Sequence, residues 1–150
     1  MQMYRKLPLP KKLKKAIIWF GNQRFLVGVI GVIVNEHNKV LLLKHTYRTR
    51  PWGMPGGWLN AEEPQQGIIR EIFEETKLIV KINKIIKTEY ADNPASINIY
   101  FGGYISDGKF SRSEEISDYG FFGVNDFPED LPYDQRTFLT EYLEQYKADS

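Results

Sequence analysis

Three glutamates at helical spacing constrain this chain more than any other feature. Glu71, Glu74 and Glu75 occupy positions i, i+3 and i+4 of a stretch whose pattern predicts a helix over residues 64–77. At 3.6 residues per turn their side chains converge on one face, with Cβ atoms about 5–6 Å apart. Neighbouring carboxylates repel one another, and their proton affinities rise unless a cation lies among them. The face is either solvated or a cation site.

A divalent cation suits such a face better than a neighbouring side chain does. Arg70 directly precedes Glu71, but a single guanidinium cannot neutralise three carboxylates. Mg²⁺ and Mn²⁺ are hard cations that prefer oxygen ligands. The spacing therefore predicts a site for one of them.

The opposite side of the predicted helix is apolar, which favours a docked helix over a free one. Ile68, Ile69, Ile72 and Phe73 recur at helical spacing, and Pro64 suits a first turn. A Gly-Gly pair lies shortly before the helix, where it would let backbone carbonyls and a bound phosphate approach the carboxylates.

The segment from Gly56 to Leu78 resembles the Nudix box, a motif of the form G-x5-E-x7-R-E-U-x-E-E-x-G-U in which U is aliphatic. The matching residues are Gly56, Glu62, Arg70, Glu71, Ile72, Glu74, Glu75 and Leu78. The late glycine of the pattern is Lys77 here. That position usually ends the helix in a left-handed conformation, where a non-glycine residue costs roughly 1 kcal/mol. No carboxylate is affected, so we expect activity to survive the change.

The resemblance implies a metal-dependent hydrolase that acts on a nucleoside diphosphate linked to another moiety. The implied metal is Mg²⁺ or Mn²⁺, and one of its carboxylate ligands, or a carboxylate from a later loop, would be the general base. Glu62 and Arg70 would support catalysis by holding the helix against the loop as an ion pair. The candidate metal ligands are the Gly56 carbonyl and the carboxylates of Glu71, Glu74, Glu75 and Glu115.

Candidate substrate contacts surround the Gly-Gly pair. Guanidinium groups pair with phosphate, and flat aromatic rings stack on bases. The candidates are Arg48, Arg50, Trp52, Gly56, Gly57 and Trp58, together with Tyr47 and Tyr100. For each tryptophan, packing in the core is an equal alternative. His45 is a candidate for a phosphate contact or a structural hydrogen bond, and Glu114, Asp92 and Asp107 are candidates for an extra ligand or base.

The order of patterned segments favours an α/β fold. The predicted strands are residues 25–35, 40–44, 78–90, 97–106 and 116–124, with a closing helix over residues 134–146. The first two strands are expected to pair and to be buried on both faces. The Pro- and Gly-rich residues 51–57 are expected to be irregular. The resemblance implies a Nudix-type α-β-α sandwich with a mixed β-sheet between helices.

Length and composition exclude several kinds of protein and of functional site. A length of 150 residues fits a single domain over residues 1–150. The net charge of +1 argues against nucleic-acid binding by bulk charge. Without cysteine there is no disulfide, thiolate zinc site or cysteine nucleophile. The longest apolar run, over residues 25–34, is too short to span a bilayer, and no signal-peptide cleavage site follows it. We expect a cytoplasmic protein with no membrane partner.

Residues 1–23 are expected to form a basic N-terminal arm or helix. Four lysines between residues 11 and 15 precede Trp19 and Phe20. We expect the two aromatic side chains to dock on the body and the lysines to be solvated. The alternative is a basic surface for a polyanionic ligand or partner.

Several functions and partners remain open at this point. Substrates in the resembled family include nucleoside triphosphates, nucleotide sugars such as ADP-ribose, dinucleoside polyphosphates and RNA 5′ ends. A non-catalytic Nudix-like module that binds a nucleotide or regulates a partner is disfavoured by the intact carboxylates. A nucleic-acid-binding protein that uses the basic arm is disfavoured by the net charge and by the lack of a nucleic-acid motif. A homodimer is also open.

Overall fold

The structure, a computed structural model, describes residues 8–148, so residues 1–7 of the expected basic arm lie outside the described residues. The helices are α1 (Lys11–Gly21), α2 (Pro64–Thr76) and α3 (Tyr133–Ala148). The strands are β1 (Leu26–Ile33), β2 (Val40–His45), β3 (Trp52–Gly53), β4 (Gly56–Trp58), β5 (Leu78–Asp92), β6 (Ala95–Gly108) and β7 (Ile116–Phe122). The α/β class and the expected closing helix are confirmed.

The strands form two sheets instead of one. A four-stranded mixed sheet has the order β4-β1-β6-β5, in which β1 and β6 are parallel and the other neighbours are antiparallel. A three-stranded antiparallel sheet has the order β3-β2-β7.

The expected pairing of β1 with β2 is wrong, because the two strands belong to different sheets. β4 pairs with one edge of β1 and β6 with the other, so neither edge is left for β2. Beyond the named strands, a single bridge between Val34 and Val40 connects the two segments.

Two apolar clusters lie on opposite sides of the strands. Val29 of β1 belongs to the first cluster, together with Ile68 and Ile72 of α2. Val32 of β1 belongs to the second, together with Leu139 of α3. These side chains are fully buried. β1 is therefore buried on both faces, as expected, and helices lie on both sides of the strands.

α2 begins at Pro64, as its sequence predicts, and Lys77 follows its last turn in the left-handed conformation, with φ 64° and ψ 10°. The Lys77 N–H donates to the Phe73 carbonyl at 2.8 Å. The expected apolar face is only partly buried, because Phe73 is exposed. Its ring lies 5.1 Å from Lys77 Nζ.

Residues 51–57 are not irregular throughout. Trp52 of β3 pairs with Lys44 of β2, and Gly57 of β4 pairs with Val29 of β1. β3 is an edge strand of the three-stranded sheet, and β4 is an edge strand of the four-stranded sheet. The segment between β3 and β4 therefore connects the two sheets.

α1 is helical, but the expected docking of its aromatic side chains is wrong. Trp19 is 61% exposed, Phe20 is 76% exposed, and no residue of α1 is buried. The guanidinium carbon of Arg24 lies 3.8 Å from the centre of the Trp19 ring. The Trp19 ring thus contacts a nearby residue of the chain instead of docking on the body of the protein. Within residues 8–148, no helix has the length and apolar character needed to cross a membrane.

Candidate active site

A row of paired residues across the four-stranded sheet forms the floor of a cleft of about 710 Å³. Trp58 of β4 pairs with Gly28 of β1, Gly28 pairs with Asn98 of β6, and Asn98 pairs with Glu89 of β5. All four residues line the cleft. Side chains two residues apart in a strand share a face, so Tyr100 of β6 lies on the same floor.

Gly28 makes room for its neighbours in this row. The Asn98 carboxamide and the Trp58 ring occupy the space that a side chain at Gly28 would fill. The missing side chain allows a polar amide and an aromatic ring to lie side by side on the floor.

The walls of the cleft come from α2 and from the start of α3. α2 contributes Glu71 and Glu75, and α3 contributes Asp134 and Gln135. The Met54 N–H donates to Gln135 Oε1 at 2.9 Å, which attaches the first turn of α3 to the link between β3 and β4.

Arg70 is shared by three carboxylates. Its Nη2 lies 2.7 Å from Glu62 Oε1, and its Nη1 lies 2.8 Å from Glu71 Oε1 and 3.0 Å from Glu74 Oε2. The Glu62 pair joins α2 to the preceding loop. Hydrogen bonding to Arg70 lowers the pKa of Glu62, and the same bond raises the pKa of Arg70.

Glu75 is the remaining carboxylate of the helix face, and it forms no ion pair with Arg70. It is 7% exposed, and among the described residues its Oε2 has no hydrogen-bond partner. Burial and the charge of Glu71 raise the pKa of Glu75 to about 8, although a hydrogen bond from the Gly56 N–H and the charge of Arg48 oppose the shift. At neutral pH this carboxylate therefore retains a proton unless a cation takes the proton's place.

The donors at this face suit a hard divalent cation. Glu71, Glu75 and Glu115 line both the cleft and a further cavity of about 330 Å³. Within residues 8–148, no three carboxylate or imidazole groups stand together as a ready set of metal ligands. Arg70 holds Glu71 and Glu74 in ion pairs. A divalent cation would compete with Arg70 for Glu71 and Glu74, whereas Glu75 forms no ion pair with Arg70.

The cleft contains most of the candidate substrate contacts, but two lie outside it. The candidates that line it are Tyr47, Arg48, Gly56, Gly57, Trp58 and Tyr100. Arg50 is exposed and does not line the cleft. Trp52 packs in the second apolar cluster, edge-to-face with Phe122 at 5.2 Å. Its assignment to substrate binding is therefore corrected to core packing.

Of the other candidate carboxylates, two line the cleft or the smaller cavity and two do not. Glu115 lines the cleft, and Glu114 lines the smaller cavity. Asp92 instead accepts a hydrogen bond from the Tyr90 hydroxyl at 2.7 Å, and Asp107 accepts one from the Gly108 N–H at 2.7 Å. Neither Asp92 nor Asp107 lines the cleft.

His45 is buried at the end of β2 and does not line the cleft. Among the described residues, neither ring nitrogen has a hydrogen-bond partner, so the expected structural hydrogen bond is absent there. Burial, and secondly the charge of Arg48, lower the pKa of His45 to about 4. The imidazole is therefore neutral at physiological pH.

Sequence reasoning missed five polar residues of the cleft, which are Asn60, Glu89, Asn98, Asp134 and Gln135. Asn98 had a local signal, because it interrupts the apolar sequence between Ile97 and Ile99. Glu89, Asp134 and Gln135 had none, because strand pairing and the position of α3 bring them to the site.

This fold and site agree with a known family. The NUDIX domain family matches residues 24–142, and the chain belongs to that family. The resemblance drawn from the box is thereby confirmed. Its relatives include proteins named as a Nudix hydrolase and as an ADP-ribose pyrophosphatase.

Two relatives match this chain over different shares of their own length. An ADP-ribose pyrophosphatase from Methanocaldococcus jannaschii is 28% identical over 126 residues, which cover 78% of this chain and 72% of that protein. Nudix hydrolase 8 from Arabidopsis thaliana is 34% identical over 80 residues, which cover 50% of this chain and 22% of that protein. The match thus spans less than a quarter of the plant protein.

Solved structures share the fold over most of the chain. A NUDIX hydrolase from Nitrosomonas europaea has a TM-score of 0.74 at 26% identity and covers 85% of this chain and 74% of its own. A UDP-X diphosphatase has a TM-score of 0.70 at 21% identity and covers 97% of this chain and 76% of its own. The fold expected from the sequence is confirmed.

Proposed function

We propose that this protein hydrolyses a phosphoanhydride bond in a nucleoside diphosphate linked to another moiety, with Mg²⁺ or Mn²⁺ as cofactor. The observation that carries the proposal is the buried carboxylate of Glu75, which lies beside Glu71 and whose Oε2 has no hydrogen-bond partner among the described residues. A diphosphate is also anionic, so a cation at this face would serve both the protein and the substrate.

The candidate ligands are Glu71, Glu74 and Glu75, supplemented by Glu115 and the Gly56 carbonyl. With a divalent cation bound, the site would gain a Lewis acid that offsets diphosphate charge and activates the attacking water. Arg70 and Glu62 would keep α2 at a fixed position against its loop. Arg48 lines the cleft and would pair with a phosphate oxygen. Glu115 is a candidate general base.

The part of the cleft formed by β5, β6 and the start of α3 favours a neutral, hydroxyl-rich group over a further phosphate. Glu89 and Asp134 both line the cleft. The Tyr100 hydroxyl donates to Glu89 Oε2 at 2.9 Å, and Lys87 Nζ lies 3.4 Å from Glu89 Oε1. Carboxylates repel phosphate and accept hydrogen bonds from hydroxyl or amino groups.

We therefore propose a nucleotide sugar, such as ADP-ribose, as the preferred substrate class over nucleoside triphosphates. The 28% identical relative named as an ADP-ribose pyrophosphatase supports this choice. An RNA 5′ end is the second candidate, which the lysines of α1 favour.

The test is a turnover assay with Mg²⁺ or Mn²⁺ on ADP-ribose, other nucleotide sugars, nucleoside triphosphates, dinucleoside polyphosphates and triphosphorylated RNA. We expect Glu75→Gln to lower turnover at least about 100-fold while the protein remains folded. Glu141→Gln, which changes an exposed carboxylate of α3, is the matched control and should leave turnover unchanged. Full turnover in folded Glu75→Gln would refute the ligand assignment. Nucleotide binding without hydrolysis of any substrate would instead identify a non-catalytic module.

The substrate preference has its own variants. Asp134→Asn and Glu89→Gln should reduce the ratio of kcat/KM for ADP-ribose to that for ATP by about 10-fold each, since each change removes a charge that disfavours phosphate. An unchanged ratio in both variants would refute the preference without affecting the proposed chemistry. Product analysis identifies the bond that is cleaved.

A further inference from the structure

α1 presents an uncovered apolar face to solvent. Leu13, Ala16, Ile17 and Phe20 follow the i, i+3, i+4, i+7 pattern that places side chains on one side of a helix. Leu13 is 47% exposed and Phe20 is 76% exposed. An isolated helix of this length is marginal in water, so its formation benefits from a partner that covers this face.

The other side of the same helix carries its lysines, together with Ile18 and Trp19 near its C-terminal end. Lys11, Lys12, Lys14 and Lys15 lie away from the apolar face, and all four belong to the first half of the helix. The chain has seven Lys and Arg residues before Glu36, its first acidic residue. Because the total charge is +1, residues 36–150 carry −6. The near-neutral total thus conceals a strongly basic segment next to an acidic body.

Local contacts organise the second half of α1 around its aromatic side chains. The Trp19 and Phe20 rings meet edge-to-face at 5.0 Å. Arg24 lies over the Trp19 ring, and its Nη2 donates to the Trp19 carbonyl at 3.5 Å. The Asn22 amide donates to the Ile18 carbonyl at 2.5 Å. The helix end therefore combines large apolar side chains with a cation.

We propose that α1 binds the protein peripherally to an anionic lipid bilayer, lying in the headgroup region with Leu13, Ile17 and Phe20 directed toward the acyl chains. The combination of a lysine-bearing side and a Leu-, Ile- and Phe-bearing side is typical of interfacial helices. Lysines beside an anionic surface gain attraction, and a tryptophan ring is stable at headgroup level. This contact requires no membrane-spanning segment.

Other partners satisfy only part of these features. A nucleic acid would pair with the lysines but would leave the apolar face of α1 in water. A protein surface would cover that face, but lysine is depleted in protein–protein interfaces. An anionic bilayer accommodates the lysines and the apolar side chains together.

The experiment is co-sedimentation of the full chain with vesicles of phosphatidylcholine containing about 30% phosphatidylserine, with pure phosphatidylcholine as reference. We expect binding to the anionic vesicles that weakens as salt increases. Replacing Lys11, Lys12, Lys14 and Lys15 with Gln should weaken binding at least about 100-fold, since each basic residue near such a surface adds roughly fivefold. The double variant Leu13→Ser/Phe20→Ser should weaken it at least about 10-fold.

Matched controls come from the body of the protein. Lys81→Gln/Lys109→Gln removes exposed lysines, and Ile85→Ser removes a 63% exposed apolar side chain of β5. Neither should change vesicle binding. Trp19 should give a blue-shifted emission with anionic vesicles, and Trp19→Phe should abolish that change.

Four results would overturn the proposal. The first is no binding to anionic vesicles, and the second is binding that Leu13→Ser/Phe20→Ser leaves intact, which would indicate adsorption by charge alone. The third is a dimer that this double variant converts to a monomer without any vesicle binding, which would assign the face to a second copy. RNA binding that depends on the lysines, without vesicle binding, would likewise assign α1 to nucleic acid.

Discussion

Arg70 Nη2 lies 2.7 Å from Glu62 Oε1, and this contact joins the middle of α2 to the loop that follows β4. The same guanidinium also contacts Glu71 and Glu74, so one residue sets the position of two candidate metal ligands. The arrangement leaves Glu75 outside the ion pairs of Arg70, and among the described residues its Oε2 has no hydrogen-bond partner.

Glu62→Gln should lower turnover about 10-fold. Residues that orient metal ligands without binding the metal typically contribute 10- to 100-fold to metal affinity or activity. The exposed neighbour Glu63 offers the matched control Glu63→Gln, which should have turnover close to that of the wild type. Equal turnover in the two variants would contradict a positioning role for the Arg70–Glu62 pair.

The effect of Glu62→Gln on stability should depend on pH. Arg70 holds the pKa of Glu62 below 4.5, its ordinary value, so the folded state binds this proton more weakly than the unfolded state does. The stabilisation is present above about pH 4.5 and is lost as the pH falls through the folded pKa. Thermal unfolding from pH 7 to pH 3 should show the wild type and Glu62→Gln converging in acid. A constant difference in Tm would contradict this linkage.

Glu75 should have the opposite pH signature in metal-free protein. Its folded pKa of about 8 lies above the ordinary value of 4.5, so the folded state binds the extra proton between these values. The contribution of Glu75 to stability is fully present below about pH 4.5 and is lost as the pH rises toward 8. Relative to wild type, Glu75→Gln should gain several kcal/mol of unfolding free energy across this range. If the unfolding free energies of the wild type and Glu75→Gln, measured in EDTA, changed in parallel with pH, the raised pKa of Glu75 would be refuted.

Mg²⁺ binding should release a proton near neutral pH, because the cation displaces the proton of Glu75. Calorimetric titration with Mg²⁺ in two buffers of different ionisation enthalpy measures that release, and the affinity should rise from pH 6 to pH 8. Glu75→Gln should abolish the release. A proton count near zero in the wild type would contradict the expected exchange.

Gly57→Ala should lower Mg²⁺ affinity and turnover at least about 10-fold. A methyl group at Gly57 would overlap the Glu71 carboxylate and force it to move. Gly21→Ala is the control, because a methyl group at Gly21 meets no atom within 4 Å. Mg²⁺ titration and steady-state kinetics of both variants provide the measurement. Wild-type affinity in Gly57→Ala would refute the role of this close approach.

Lys77→Gly should stabilise the protein by about 1 kcal/mol, because glycine adopts the left-handed conformation at the end of α2 without a Cβ penalty. Loss of the contact between Lys77 and the Phe73 ring offsets part of the gain. Lys81→Gly in β5 should instead destabilise, since glycine weakens a strand. Urea unfolding measures both changes, and a destabilised Lys77→Gly would contradict the prediction.

The sequence alone determined the features that depend on local geometry. Glu71 and Glu75 are neighbours on α2 because residues four apart lie one turn away in any α-helix. Pro64 begins that helix and Lys77 follows its end for equally local reasons. The apolar period likewise predicted that Ile72 would be buried.

Tertiary structure decided everything that depends on contacts between distant segments. Periodicity cannot show which strands become neighbours, so the row from Trp58 through Gly28 and Asn98 to Glu89 was invisible in the sequence. For the same reason, Trp52 was equally suited to core and cleft until Phe122 was found beside it. Net charge was the least informative property, because a sum over all charged residues does not show where those residues lie. The fold separates a basic α1 from an acidic body and buries Glu75 outside the ion pairs of Arg70.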